Sequence, residues 1–210
     1  MAWSWTDLNG ELSVVLDDST VETFPVAIRL AGTNAALRTM VQKVPVQKSA
    51  TITSVSSYAF PSDLYSIKVL QVQDSEEGYS FLSEISLNPG ETWPFMGTVD
   101  STSLPDGYWV WNKLIYFGRL HPTIVLYYNA HYPAVTASTT DIPVPEWARE
   151  PLIYWIAAYC LNPNLVTRAR LAMWSDKKDA PPLDNPLIQA ARYYRDEYQR
   201  IMSLHHGTHQ

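Results

Sequence analysis

The chain has 210 residues, enough for one large domain or two small ones, and its 46% hydrophobic and 17% charged residues mark it as globular. A formal net charge of −6 and a pI near 5.3 exclude the global basic footprint of a protein that grips nucleic-acid phosphates. The single cysteine, Cys160, excludes an intramolecular disulfide.

Residues 1–13 lack both the basic and the apolar region of a signal peptide. The longest apolar run, 152–161, is too short to span a bilayer. The expectation is a protein made in a cytoplasm, with no membrane partner. Thr6 is a candidate N-cap for a short helix with Leu8, Leu12, Val15 and Leu16 on one side, a lid or hook. A second helix is expected from Pro25 to about Met40. It has one stripe through Ile28, Ala31 and Ala35 and another through Val26, Leu30 and Leu37, a pattern for burial from two sides.

From Val44 the period shortens to two. Val44, Val46 and Ile52 sit among Thr and Ser; Tyr65, Ile67 and Val69 alternate, as do Tyr79, Phe81, Ser83, Ile85 and Leu87; 109–117 and 123–128 are aromatic and β-branched. This predicts about five strands, separated by turn signals at 61–63, 77–78, 88–90, 105–107 and 121–122. The longer stretch 88–107 carries Trp93 and Phe95 and reads as an ordered loop with an aromatic tip, or an extra hairpin.

Near Thr136 the composition turns to small polar residues, a linker back to helix. Pro145, Glu146 and Trp147 open a helix with Leu152, Ile156 and Tyr159 on one face, which Pro151 is expected to kink or restart. A further helix is expected over 165–174, then a proline-rich loop. The last helix has Asn185 as N-cap, an apolar line through Ile188, Ala191, Tyr194, Tyr198 and Ile201, and an Arg192–Asp196 pair on the wet side.

No glycine-rich phosphate loop, nucleophile elbow or Cys-x-x-Cys pair occurs, so neither an enzyme nor a cofactor is expected. Asp17 and Asp18 read as carboxylates placed before a helix, and 74–77 as a solvated hairpin turn. His205 and His209 would share a helical face, but Gly207 breaks the helix between them. With His206 they read as a polar tail, not a metal site. His121 and His131 read as turn residues, and Cys160 as a small buried hydrophobe.

The succession of 24–40, 60–72, 109–135, 143–161 and 188–202 resembles the head-to-tail adaptor (connector) proteins of tailed bacteriophages. The likeness rests on an early helix carrying Arg29 and Arg38, the step Phe60 to Asp63 into a strand, a hairpin ending in Tyr127 and Tyr128, and the helix start at Glu146 and Trp147. Gly32 departs from the pattern, standing where relatives tend to carry a helix former. The resemblance implies an α+β fold: a helical bundle formed by both chain ends (1–43 and 141–210) with an inserted antiparallel β-sandwich or barrel domain (44–140). It also implies a structural virion protein of the neck, in a ring of usually twelve subunits between the portal and the tail, nozzle or tail-fibre proteins. Double-stranded DNA would pass without sequence-specific binding.

Eight Trp and thirteen Tyr exceed what one core comfortably hides, which independently favours a homo-oligomer. Trp3 and Trp5 at one end, Met202, Leu204, His205, His206, His209 and Gln210 at the other, and Trp93 and Phe95 are expected to meet partners. Arg168, Arg170, Lys177 and Lys178 are expected to face the channel or an acidic partner. The competing reading is a carbohydrate- or receptor-binding tail module that uses Trp93, Tyr108, Trp109 and Trp111 as stacking surfaces.

Overall fold

The computed structural model describes residues 3–53, 55–74, 78–85, 107–161 and 186–206. The chain divides into two compact units, Met1–Val44 with Tyr132–Gln210, and Pro45–His131.

In the first unit, α1 (Trp5–Val15) begins one residue after Ser4, not after Thr6. Ser4 Oγ accepts from the Asp7 amide at 3.2 Å while the Asp7 carboxylate accepts from the Ser4 amide at 2.9 Å, a reciprocal cap that satisfies two otherwise orphaned donors. Helix α2 (Val26–Met40) follows Pro25 as expected, but one face is buried rather than two, and of the residues in the two expected stripes only Leu37 lies on it. It runs through Arg29, Gly32, Thr33, Ala36, Leu37 and Met40, so a polar pair sits where apolar residues were sought. Helix α3 (Glu146–Cys160) continues through Pro151 without a break. The missing amide falls near the start of the helix, where it removes a single i→i−4 bond, and burial of Leu152, Ile153, Ile156 and Ala157 on the same helix outweighs that loss.

Helix α4 (Pro186–His206) carries Leu187, Tyr198, Ile201 and Met202 inward. Its surface ion pair joins Arg200 to Glu197, in place of the expected Arg192–Asp196 pair among the described residues. Helices α1, α2 and α4 each pack against α3. The return segment 132–144 belongs to this unit. Asn34 holds it reciprocally, donating to the Val135 carbonyl at 3.0 Å and accepting from its amide at 2.8 Å, and Ile142 donates to the Trp3 carbonyl at 2.7 Å.

Gly32 is explained by contact. A Cβ there would stand 2.9 Å from Tyr159 Cδ1 and 3.4 Å from Ile156 Cγ2, so only glycine lets α2 lie this close to α3.

The second unit has seven strands among the described residues: β1 (Val46–Ile52), β2 (Ser57–Ala59), β3 (Leu64–Asp74), β4 (Gly78–Glu84), β5 (Gly107–Trp111), β6 (Leu114–Phe117) and β7 (Ile124–Ala130). They form one curled sheet in the order β1-β7-β3-β4-β5-β6-β2. This corrects the expected antiparallel sandwich or barrel. The pairing of β4 with β5 is parallel, so the sheet is mixed, and all seven strands belong to one hydrogen-bonded order rather than two facing layers. The aromatic run expected as one strand over 109–117 is a hairpin. Asn112 and Lys113, at φ 49° and 62°, take the left-handed conformations that a two-residue turn requires.

Its core is Ile52, Leu70, Val72, Leu82, Ile115, Phe117, Ile124 and Leu126 with Tyr108 and Tyr128. On β4 the buried face is therefore Leu82's. The alternation read through Phe81 and Ser83 points outward, because cross-strand register with β3 puts Leu82 beside Leu70.

Candidate functional site

The N-terminal end is ordered by its own chain. Trp3 and Trp5 are buried in the first unit's core with Leu8 and Leu12, and Trp3 Nε1 donates to Glu11 at 3.1 Å beneath the Arg149 guanidinium, 5.3 Å from the ring centroid. Both indoles are spent on the core of their own unit. At the other end Met202 is likewise buried. Leu204 is 62% exposed, and the half-buried His205 stacks on Trp147 at 4.3 Å.

Sequence reasoning missed the buried hydrogen-bonding role of Arg29. Arg29 is 0% exposed, and its guanidinium donates to the Phe24 carbonyl (2.8 Å), Asn9 Oδ1 (2.9 Å), Ser13 Oγ (2.6 Å), and the carbonyl and carboxylate of Asp18 (2.9 Å each). Asp18 also accepts from the amides of Thr23 and Phe24 at 3.1 and 2.8 Å. Burial pushes the Asp18 carboxyl up, but the Phe24 and Thr23 amides and then Arg29 outweigh it, and the group is held below its ordinary 3.8. Asp18 was expected to face a helix dipole; instead it is half of a buried ion pair.

The loop that closes this network is strained. Asp17 and the β-branched Val21 sit at φ 49° and 58°. Cys160 is fully buried, and loss of solvent pushes its thiol up to about 12, which leaves it inert as a nucleophile.

In the second unit the Phe60 to Asp63 step makes a clamp. The Asp63 carboxylate pairs with Lys48 of β1 and accepts from Tyr128 Oη of β7 at 3.3 Å, while its carbonyl accepts from the His131 amide at 2.7 Å. The hydrogen bond from Lys48 holds Asp63 below its ordinary value. His131 meets Tyr65 edge-on at 5.2 Å.

Of the aromatics proposed for stacking, Tyr108 and Trp109 are buried, and Trp109 lies against Tyr116 at 5.4 Å; Trp111 is 56% exposed. The outer sheet face instead shows Phe81 and Tyr127, 69% and 40% exposed, beside a hollow of about 190 Å³. The opposite phase of Leu70, Val72 and Leu82 was the signal for that outward face.

Trp93, Phe95, Arg168, Arg170, Lys177, Lys178, His209 and Gln210, with the His206 side chain, lie outside the described residues, as does the helix expected over 165–174. Among the described residues no group of three or more His, Cys, Asp or Glu is placed to hold a metal ion, and no helix is long and apolar enough to cross a membrane.

A family model described as SU10 adaptor protein matches residues 4–209, through both units. The chain belongs to the SU10 adaptor protein family. This is a family of phage head-to-tail adaptors, and the resemblance drawn from Arg29, the Phe60 to Asp63 step and the Glu146 helix start is thereby shown. No curated protein matches the chain. Within this adaptor, two of the residues that carried the likeness have structural work: Arg29 is the hub beneath α1, and Asp63 clamps β1 to β7.

Proposed function

We propose that this chain is a structural virion protein whose copies assemble into a head-to-tail adaptor ring, dodecameric as the resemblance implies. The ring links the portal of the capsid to the tail and forms part of the passage for DNA. The match of one adaptor-family model to residues 4–209 carries the reading, since it runs through both units and not through one detachable module. In this reading the helices of both chain ends make a bundle, and the sheet is an insert that meets tail-side partners.

The net charge of −6 supports a conduit, because each phosphate neutralised by a protein cation adds salt-dependent affinity and retards passage. Outward-facing Phe81, Tyr127 and Trp111 support contact with other proteins, as exposed aromatics are enriched where interfaces form. Burial of Tyr108 and Trp109 disfavours the carbohydrate-binding reading, which needs both as stacking surfaces. The reading assigns no covalent chemistry and no cofactor.

Negative-stain imaging of the chain mixed with the portal protein of its phage tests it. Rings seated on portals are the expected result; portals that stay bare beside scattered monomers would overturn it.

A further inference from the structure

Helix α1 carries a stripe that its own unit does not explain. Asp7, Gly10, Glu11 and Val14 stand at i, i+3, i+4 and i+7, so they share one side of the helix, and all four are exposed. Val14 is 81% exposed, more than any other large apolar residue among the described ones. Gly10 is the informative member. Glycine weakens a helix interior relative to alanine, and at Gly32 the close approach of α3 accounts for it. At Gly10 a Cβ would meet nothing within 4 Å among the described residues, so nothing in the unit requires the glycine. A surface that came as close to α1 as α3 comes to α2 would require it.

The sheet has a face with the complementary features. Cross-strand register sets Ser49, Tyr127 and Val69 in one outward row and Val125, Gln71 and Phe81 in the next, and none of them is charged on a chain of net charge −6. Val69 on β3 lies between β7 and β4, so Tyr127 and Phe81 wall the hollow of about 190 Å³ above it. That volume falls below the ~300 Å³ at which small-molecule sites begin and suits one inserted side chain. Lys68 lines the same hollow and has no ion pair among the described residues.

We propose that the α1 stripe of one copy lies across the outer sheet face of the next, with Val14 in the hollow between Tyr127 and Phe81 and Glu11 beside Lys68. The helix lies over β7, β3 and β4 and needs no strand edge. Tyr127 and Phe81 stand on strands two spacings apart, about 10 Å, a gap that one aliphatic side chain fills once both rings take their share. Residues three apart on a helix have Cβ atoms ~5–6 Å apart, so with Val14 seated, the Glu11 carboxylate comes within the span of a lysine lining that hollow. Glu11 accepts from Trp3 Nε1 through Oε1, which leaves Oε2 for the amine. The contact joins unlike surfaces, so it repeats head-to-tail, the kind of interface that closes into a ring. It rests on the homo-oligomeric part of the adaptor reading and names the residues that make the ring.

The test uses the full-length chain and the portal protein of its phage, with assembly scored by negative stain as the fraction of portals that bear rings. Val14→Ser, Phe81→Ser and Lys68→Glu alter exposed side chains, so they keep the fold, which circular dichroism checks, and each should cut ring formation at least fivefold. Glu11→Lys combined with Lys68→Glu should recover at least half of the wild-type level. Gly10→Ala separates helix strength from contact: it should raise the urea midpoint of the free chain yet cut ring formation at least fivefold. A photo-crosslinker in place of exposed Ser49, carried by unlabelled chains mixed with 15N chains, should capture residues 1–21 across isotopes in the assembled rings. Rings that form equally with Gly10→Ala and Val14→Ser, or crosslinks to α1 within one isotope only, would overturn the inference and leave the adaptor reading standing. Portals left bare by the wild type would end both.

Discussion

Replacing Asp18 with asparagine keeps the shape of the side chain and removes its charge, leaving Arg29 as a fully buried cation among neutral acceptors. The amide group also sets a donor against one of the two backbone amides, Thr23 or Phe24, that now donate to the carboxylate. Breaking a buried pair by removing one partner costs about 3–5 kcal/mol, a large share of the roughly 5–15 kcal/mol by which a folded domain is stable. Urea denaturation followed by tryptophan fluorescence at pH 7 should register that loss in Asp18→Asn. The Asp18→Asn/Arg29→Met double variant should lose less than the sum of the two single variants, because the partners are coupled.

The dependence on pH has a definite sign. Asp18 is held below 3.8, so its contribution is complete above that value and is lost as pH falls through the lower folded value. The gap between wild type and Asp18→Asn should therefore close below about pH 3.8 and stay constant from pH 5 to 7. A loss under 1 kcal/mol at pH 7, or a gap that widens in acid, would refute the assignment of Asp18 and Arg29 as a charged pair.

Gly32→Ala should destabilise the first unit despite the ~1 kcal/mol gain in helix propensity, because the new methyl meets the Tyr159 ring at 2.9 Å and overpacking costs about 1–3 kcal/mol; a raised melting temperature would contradict the close approach of α2 to α3. Val21→Gly should stabilise by up to about 1.5 kcal/mol, the ~1–2 kcal/mol of left-handed strain less the ~0.5–1 kcal/mol entropic cost of glycine, as measured by the urea midpoint. The Cys160 thiol should resist a colourimetric thiol reagent at pH 8 in the native chain and react fully in denaturant, whereas fast native labelling would mean that α3 is not packed as described. Deleting 203–210 removes exposed Leu204 and the His205 stack on Trp147 but leaves Met202 in the core; the truncated chain should fold, by circular dichroism, yet fail to attach to capsids, and normal attachment would end the partner role of that segment.

Sequence alone determined the kinds of element and most of their positions, because the signals involved are local. Proline at the heads of α2, α3 and α4 and the change of period after Val44 act over a few residues and need no distant partner. The order of helices, strands and helices, and with it the family resemblance, followed from them. What the sequence could not decide was every question of which residue meets which. Asp18 and Arg29 lie 11 positions apart with no spacing rule to join them, and only the fold of the loop brings them to 2.9 Å. Phe81 and Leu82 are both apolar neighbours on a strand, so either phase was open until register with β3 put Leu82 beside Leu70. The parallel pairing of β4 with β5, the only one among the described residues, joins strands on either side of 85–106 and turned an expected antiparallel domain into a mixed sheet. Local periodicity fixes a residue's direction relative to its own backbone; tertiary contact decides whether that direction is core or surface, because burial is a property of what lies opposite.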